Sequence, residues 1–280
     1  MSVHDDTERL LSEAQKFFRQ HRALYGDVLL VDPVTAEPVK KSSMKPAEQP
    51  VPVEGDLFGD TPSSAAARIG AGAGKSALLP YPNEPWTAAA TLASLNEQIC
   101  TCQKCSLGST RKSFVFGVGN PNAEVVVVGE APGADEDEQG EPFVGRAGQL
   151  LNKILEAVHF RREDVYICNI LKCRPPNNRE PQVNEVEQCE PYLWKQFEII
   201  KPKMILCAGR VAGQALLKTS ASLTQLRGRV HDYRGIRLMV TYHPAALLRN
   251  PNWKRPCWED VQMFRKFYDE LKVEESKTTS

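Results

Sequence analysis

The chain lacks net charge: its 280 residues hold 35 lysines and arginines against 35 aspartates and glutamates. No uniformly basic field announces nucleic acid, so any such binding has to come from a local patch. Long hydrophobic runs are missing too. None approaches the roughly 20 apolar residues that span a bilayer. The opening MSVHDDTERL is acidic and polar, which does not suit a secretory signal. Histidine is scarce, with five in all, so one placed at the end of a predicted strand stands out. What remains is an apolar content of 41%, enough for a real core in one sizeable domain or two small ones.

Against these absences stand eight cysteines and twenty prolines. In a chain without a secretory signal, that many cysteines point to metal ligation before disulfides. Four of them, Cys102, Cys105, Cys173 and Cys189, are spaced C-x2-C, then 67 residues, then C, then 15 residues, then C. Four thiolates can hold one soft metal centre, and on spacing alone a structural Zn(Cys)4 site and an iron–sulfur cluster both fit. Cys100 lies close enough to compete as a ligand. Cys168 and Cys207 fall in predicted strands and read as small buried apolar residues. Cys257 has no assigned role.

The prolines divide the chain. Nine of the twenty fall between Pro33 and Pro85, among small and polar residues. Such a stretch buries too little surface to repay ordering, and residues 33–90 are expected to be a disordered linker. Before it, residues 1–32 carry a short amphipathic helix, with Leu10, Leu11, Ala14, Phe17 and Phe18 at helical spacing. Residues 91–273 are expected to be globular, with a disordered tail at 274–280. Two linker motifs invite over-reading. Gly74-Lys75-Ser76 resembles the end of a P-loop, but Ile69 stands where that motif needs glycine. Asp56-Leu57-Phe58 reads either as a chance apolar pair or as the core of a sliding-clamp-binding peptide, with Glu54 where such peptides usually carry glutamine.

Within the globular part, Val125–Val128 is a β-branched run expected to be a buried parallel strand. Val165–Leu171, Met204–Ala208 and Leu238–Tyr242 read similarly. Helical patterns lie at Ala90–Ile99, Ala147–Val158, Val183–Ile200, Val211–Leu217 and Glu259–Leu271. The alternation predicts an α/β fold: a three-layer α/β/α sandwich around a central, mainly parallel four-stranded sheet. In such sheets the ligand crevice lies off the carboxyl ends of the strands. Glu130, Asn169 and His243 each sit at one of those ends.

Four motifs stand in order: Gly129-Glu130-Ala131-Pro132-Gly133; Pro142-Phe143-Val144-Gly145-Arg146-Ala147-Gly148; Asn169 through Arg179 (NILKCRPPNNR); and His243-Pro244-Ala245-Ala246-Leu247-Leu248-Arg249. Together with the cysteine spacing, residues 97–271 resemble the family 4 uracil-DNA glycosylases. The chain lacks the histidine-bearing basic loop that a related, covalently trapping group carries after the third cysteine. That favours ordinary hydrolytic turnover. The resemblance implies a monofunctional DNA glycosylase that starts base excision repair on single- or double-stranded uracil-containing DNA. It further implies a cytoplasmic, nucleoid-associated prokaryotic monomer with no membrane partner. A structural [4Fe–4S] cluster is implied on Cys102, Cys105, Cys173 and Cys189. The competing reading is a non-catalytic iron–sulfur or zinc nucleic-acid-binding module associated with a DNA polymerase.

The resemblance implies roles residue by residue. Phe143 matches the aromatic that stacks on the base, against core packing as the alternative. Asn169 matches the reader of the uracil edge, since an amide offers one donor and one acceptor; a satisfied structural asparagine is the alternative. Glu136 matches a residue crowding the C5 side of the base, where thymine carries its methyl, or else belongs to a solvated acidic loop. His243 donates to uracil O2 as charge develops there. Glu130 or the backbone of Ala131 orients the water. Leu247 and Leu248 come next on an expected loop, one as a wedge and one in the core, and Arg249 meets a phosphate. Arg174, Arg179, Arg227, Arg229, Lys254 and Arg255 are candidates for the local basic surface.

Overall fold

The computed structural model describes residues 83–278. The expected N-terminal helix, the P-loop-like Gly74-Lys75-Ser76 and the clamp-like Asp56-Leu57-Phe58 lie outside the described residues. Among them the strands are β1 (Val118–Gly119), β2 (Val125–Gly129), β3 (Tyr166–Asn169), β4 (Met204–Ala208), β5 (Val230–Tyr233) and β6 (Ile236–Thr241). The helices are α1 (Leu92–Ile99), α2 (Ala134–Gln139), α3 (Arg146–Ala157), α4 (Val183–Ile200), α5 (Arg210–Leu217), α6 (Leu223–Leu226), α7 (Pro244–Arg249) and α8 (Lys254–Thr278).

The sheet runs β1-β3-β2-β4-β6-β5. Its four central strands are parallel, as the β-branched runs predict. The expected count of four is corrected to six, because an antiparallel strand closes each edge. Neither edge carries a strong signal. Strand β1 has only two residues, and β5 is the half-exposed Val-His-Asp-Tyr. Strand β5 turns back to β6 through Arg234 (φ 54) and Gly235 (φ 83). Positive φ at both central positions gives a two-residue hairpin turn whose twist suits the strands, but arginine is not the residue that normally marks it.

Alternate residues of the buried strands feed two cores. Val126 and Val128 pack with Leu95, Ile99, Tyr192 and Phe197 of α1 and α4. Val125 and Val127 pack with Leu151, Ile154, Val261 and Phe264 of α3 and α8. Both faces of the sheet are therefore covered, which makes the three layers. The expected domain start at residue 91 falls too late. Trp86, at 3% exposure, sits on a 3-10 turn (Pro85–Ala88) and meets the Tyr192 ring edge-on at 4.9 Å between centroids. At the other end, α8 runs through residues 274–278, in place of the expected disordered tail.

Candidate active site

Three strand ends meet at one cavity. Gly129, last in β2, lies in register with Asn169, last in β3. The two chains stay locked just beyond: Ile170 N–H donates to Gly129 O at 3.0 Å and Leu171 N–H to Glu130 O at 3.1 Å. A Cβ on Gly129 would come within 2.2 Å of Asn169 Oδ1 and 2.7 Å of the Phe143 ring. Glycine is thus a steric requirement for the meeting of those two side chains. On the far side, Gly209 (φ +107) lets β4 turn away, and a Cβ there would stand 3.0 Å from that of His243. The cavity holds about 380 Å³ and is lined by Glu130, Ala131, Glu136, Phe143, Asn169 and His243, with Arg179, Glu180 and Arg249 at the same opening. That volume suits one base and its sugar.

Phe143 is held under strain. Its φ is 54, in the left-handed region that bulky residues avoid. Arg162 holds it there, donating to Phe143 O at 3.2 Å and Pro142 O at 2.7 Å. Gly148 in α3 leaves the space its backbone needs, since a Cβ at that position would lie 1.8 Å from Phe143 O. The ring then stacks beside His243, with centroids 5.5 Å apart and planes at 29°. Asn169 is 2% exposed, and its Oδ1 is buried without a partner among the described residues. An orphaned buried acceptor costs roughly 1–3 kcal/mol unless a ligand satisfies it. Lys172, fully buried, donates to Asn169 O at 3.0 Å and to Gln196 Oε1 at 2.7 Å, fixing the strand end from behind.

His243 is the N-cap of α7. Its Nδ1 accepts from Ala245 N–H at 3.1 Å. That bond requires a bare Nδ1, so the proton of the neutral ring sits on Nε2. Burial, helped by the positive charge of Arg249, lowers the pKa from 6.5 to about 4. Glu130 goes the other way: burial first, then the nearby Glu180 carboxylate, raises its pKa, with Arg210 opposing.

The four predicted ligand cysteines lie on one face of the sheet. Cys102 and Cys105 pack against the same core as buried Cys173 and Cys189. Their sulfurs attract donors: Arg111 to Cys173 Sγ at 3.3 Å, Lys172 N–H to Cys189 Sγ at 3.3 Å, and Tyr192 O–H to Cys102 Sγ at 3.2 Å. Burial pushes the Cys189 thiol up to about 12 and raises Cys173. Cys100 Sγ turns back to Glu97 O at 3.6 Å. Among the described residues, no group of three or more His, Cys, Asp or Glu side chains closes on a single metal ion.

The model of the uracil DNA glycosylase superfamily matches residues 116–272. The chain belongs to that superfamily. It is 46% identical to the type-4 uracil-DNA glycosylase of Archaeoglobus fulgidus over 180 residues, 61% of this chain and 90% of the relative. With the type-4 enzyme of Thermotoga maritima it shares 42% over 177 residues, 62% of this chain and 92% of the relative. A type-5 uracil-DNA glycosylase of Pyrobaculum aerophilum is 34% identical over 146 residues, 46% of this chain and 64% of the relative.

Several side chains of this superfamily member stand elsewhere than its sequence motifs predict. Residues 244–249 form helix α7, not a loop. Leu247 is core, at 1% exposure, so it is unavailable as a wedge; Leu248, at 46%, projects from the same helix. Glu136 does not float in a solvated loop: its carboxylate accepts from Gly133, Val144 and Gly145 N–H at 3.0, 3.0 and 3.2 Å, joining the two loops that wall the cavity. Asp137 is buried and accepts from Lys112 N–H at 2.9 Å. Arg179 lines the cavity but is clamped on buried Glu185 at 2.6 Å, and Arg174 bonds Asn178 at 2.8 Å. Arg227 is turned inward onto Asp260, which removes it from the basic surface. Arg162 and Gly209 carry functions that no motif announces, and Gly129, though first in the Gly129-Glu130-Ala131-Pro132-Gly133 motif, was given no role there. The two glycines were findable, because each stands where a buried strand ends.

Depression of the His243 pKa has a definite sign. An unfolded histidine takes its proton near 6.5, the native one only near 4. Between those values the unfolded chain binds more protons, so stability falls as pH drops through the window and is unaffected above it. An NMR titration should find the His243 ring still neutral, with the proton on Nε2, at about pH 5.5. A midpoint near 6.5 would show a solvated imidazole and contradict the buried cap.

Proposed function

We propose that this protein hydrolyses the N-glycosidic bond of a deoxyuridine flipped out of DNA, releasing uracil and leaving an abasic site that enters base excision repair. The observation that carries the reading is the convergence of Phe143, Asn169 and His243 on one cavity of suitable volume. The type-4 names of the relatives support the same substrate. Flipping costs a few kcal/mol, and the cavity offsets it by stacking the ring on Phe143 and pairing its edge with Asn169. Uracil N3–H meets the orphaned acceptor, and O4 meets the amide donor. Cytosine presents the reverse pattern and would leave buried groups unpaired, which in sites of this kind is worth about 10⁴-fold. Glu136, tied down by three backbone donors, sets the position of the wall that meets the C5 edge.

As the bond breaks, negative charge moves to uracil O2 and positive charge to the sugar. The neutral Nε2–H of His243 donates to O2, and its place on a helix cap means no reorganisation is needed. Glu130, whose burial makes it a stronger base, orients the water toward the sugar carbon with the Ala131 backbone beside it. Leu248 fills the vacated stack, and Arg249 and Arg174 meet phosphates. The DNA is single- or double-stranded, and the setting is a prokaryotic nucleoid. Contact with a sliding clamp through Asp56-Leu57-Phe58 is a lesser part of the same proposal.

Cys102, Cys105, Cys173 and Cys189 would hold a [4Fe–4S] cluster. Their fit rests on the donor set: four thiols in or against one core, three of them already accepting from N–H or O–H groups. Such a cluster supplies cross-linking here: it would tie the segment after α1 to the loop that walls the cavity. Hydrolysis itself moves no electrons. Purified protein should be brown, with roughly four irons and four sulfides per chain; colourless protein with bound zinc would overturn this assignment.

The activity is tested on an oligonucleotide holding one uracil, expected to break only after alkali. His243→Ala should slow excision by about 100-fold or more while DNA binding survives. Absence of abasic product at excess enzyme would defeat the function, and unchanged turnover in the variant would remove His243 from it.

A further inference from the structure

Behind His243 lies a buried charged network. Asp260 of α8 is 2% exposed. Its carboxylate accepts from Arg227, Nε at 3.0 Å to one oxygen and a terminal nitrogen at 2.9 Å to the other. Arg227 also donates to Pro256 O at 2.5 Å and lies over the Tyr242 ring at 5.5 Å. Tyr242 in turn stacks on Trp253, centroids 5.4 Å apart. The carboxylate also accepts from Thr241, whose hydroxyl donates to Asp260 Oδ2 at 2.8 Å. Thr241 is the last residue of β6, 3% exposed, and its carbonyl accepts from Gly209 N–H at 2.8 Å. The imidazole stands two residues further on. Burial raises the Asp260 pKa and Arg227 pulls against it.

A buried ion pair of this kind is weak evidence of net stabilisation, because well-packed apolar residues often do as well. Its geometry is the informative part. Two separate segments, α8 and the turn after α6, converge on Thr241 and Tyr242, the two residues that precede His243. No member lines the cavity. We propose that the Arg227–Asp260 pair, acting through the Thr241 hydroxyl, is a positioning device that aims His243 at the leaving base. The inference rests on the glycosylase reading above. Thr241, Asp260 and Arg227 touch no substrate; they hold the strand end from which the imidazole projects. A displacement of about 1 Å at such a group costs up to roughly 100-fold in rate.

The experiment is single-turnover excision from a uracil oligonucleotide by the full chain, with wild type and His243→Ala measured alongside. Thr241→Val keeps shape and removes the hydroxyl. It should lower the rate at saturation by roughly 10-fold or more while leaving the KM near wild type. Thr241→Ser should restore most of the rate. In the His243→Ala background, Thr241→Val should have no further effect, since there is no imidazole left to aim. Asp260→Asn should repeat the pattern. Equal losses in both backgrounds would reveal general loosening and overturn the proposal, as would a wild-type rate in Thr241→Val. Failure of wild type itself to release uracil would strike the glycosylase reading instead, so the two failures are distinguishable.

Discussion

The site depends on how closely the ends of β2 and β3 approach each other at Gly129. Parallel strands place successive carboxyl ends side by side, but side chains normally hold the outgoing loops apart. At residue 129 that separation is removed: a methyl group would collide with both the Asn169 amide and the Phe143 ring. This one close contact sets the remainder of the cavity. Asn169 lies buried at the floor, Phe143 lies over it, and the loop that carries Phe143 has to turn back through a left-handed residue to get there. The molecule meets that strain with Arg162 on the backbone carbonyls and Gly148 beneath them.

The polar groups around the cavity divide by function. Some are satisfied and immobile: Glu136 with three backbone donors, His243 Nδ1 with the start of its own helix, Arg179 with Glu185. Others are left short of partners or shifted away from their usual ionisation, namely Asn169 Oδ1, neutral His243 and protonation-prone Glu130. Satisfied groups make walls, and unsatisfied ones await a ligand. The four cysteines stand apart from both groups. They lie on the α1 and α4 side of the sheet, joined to the cavity by the short run from Asn169 to Cys173, with Lys172 buried in it, and by the residues after Cys173, of which Pro175 and Asn178 line the cavity.

Much of this was legible in the residues themselves. Four valines in a row read as a doubly covered strand, and a His-Pro directly after a predicted strand pointed the imidazole at the crevice. The C-x2-C pair and its two distant partners were expected to share a centre, and all four lie in or against one core. What escaped has physical causes. Edge strands bury little, so Val-His-Asp-Tyr reads as loop. Trp86 sits in a proline-rich stretch whose composition argues for disorder, yet one large aromatic on Tyr192 draws Pro85–Ala88 into the core. Leu247 and Leu248 are chemically identical, and only the phase of a six-residue helix decides which is buried. Arg227 and Glu136 look like ordinary surface charges; their partners, Asp260 and three backbone amides, are invisible until the chain is folded. Long-range pairing of polar side chains has no period to read.

Strand ends, the orphaned Asn169 acceptor and the capped imidazole together support one proposal: the cavity takes a uracil base. Crystals soaked with free uracil measure that directly. The account predicts the base lying on Phe143, its N3 and O4 edge on the Asn169 amide, and its O2 about 3 Å from His243 Nε2. Uracil bound elsewhere, or inverted with O2 away from the imidazole, would contradict it.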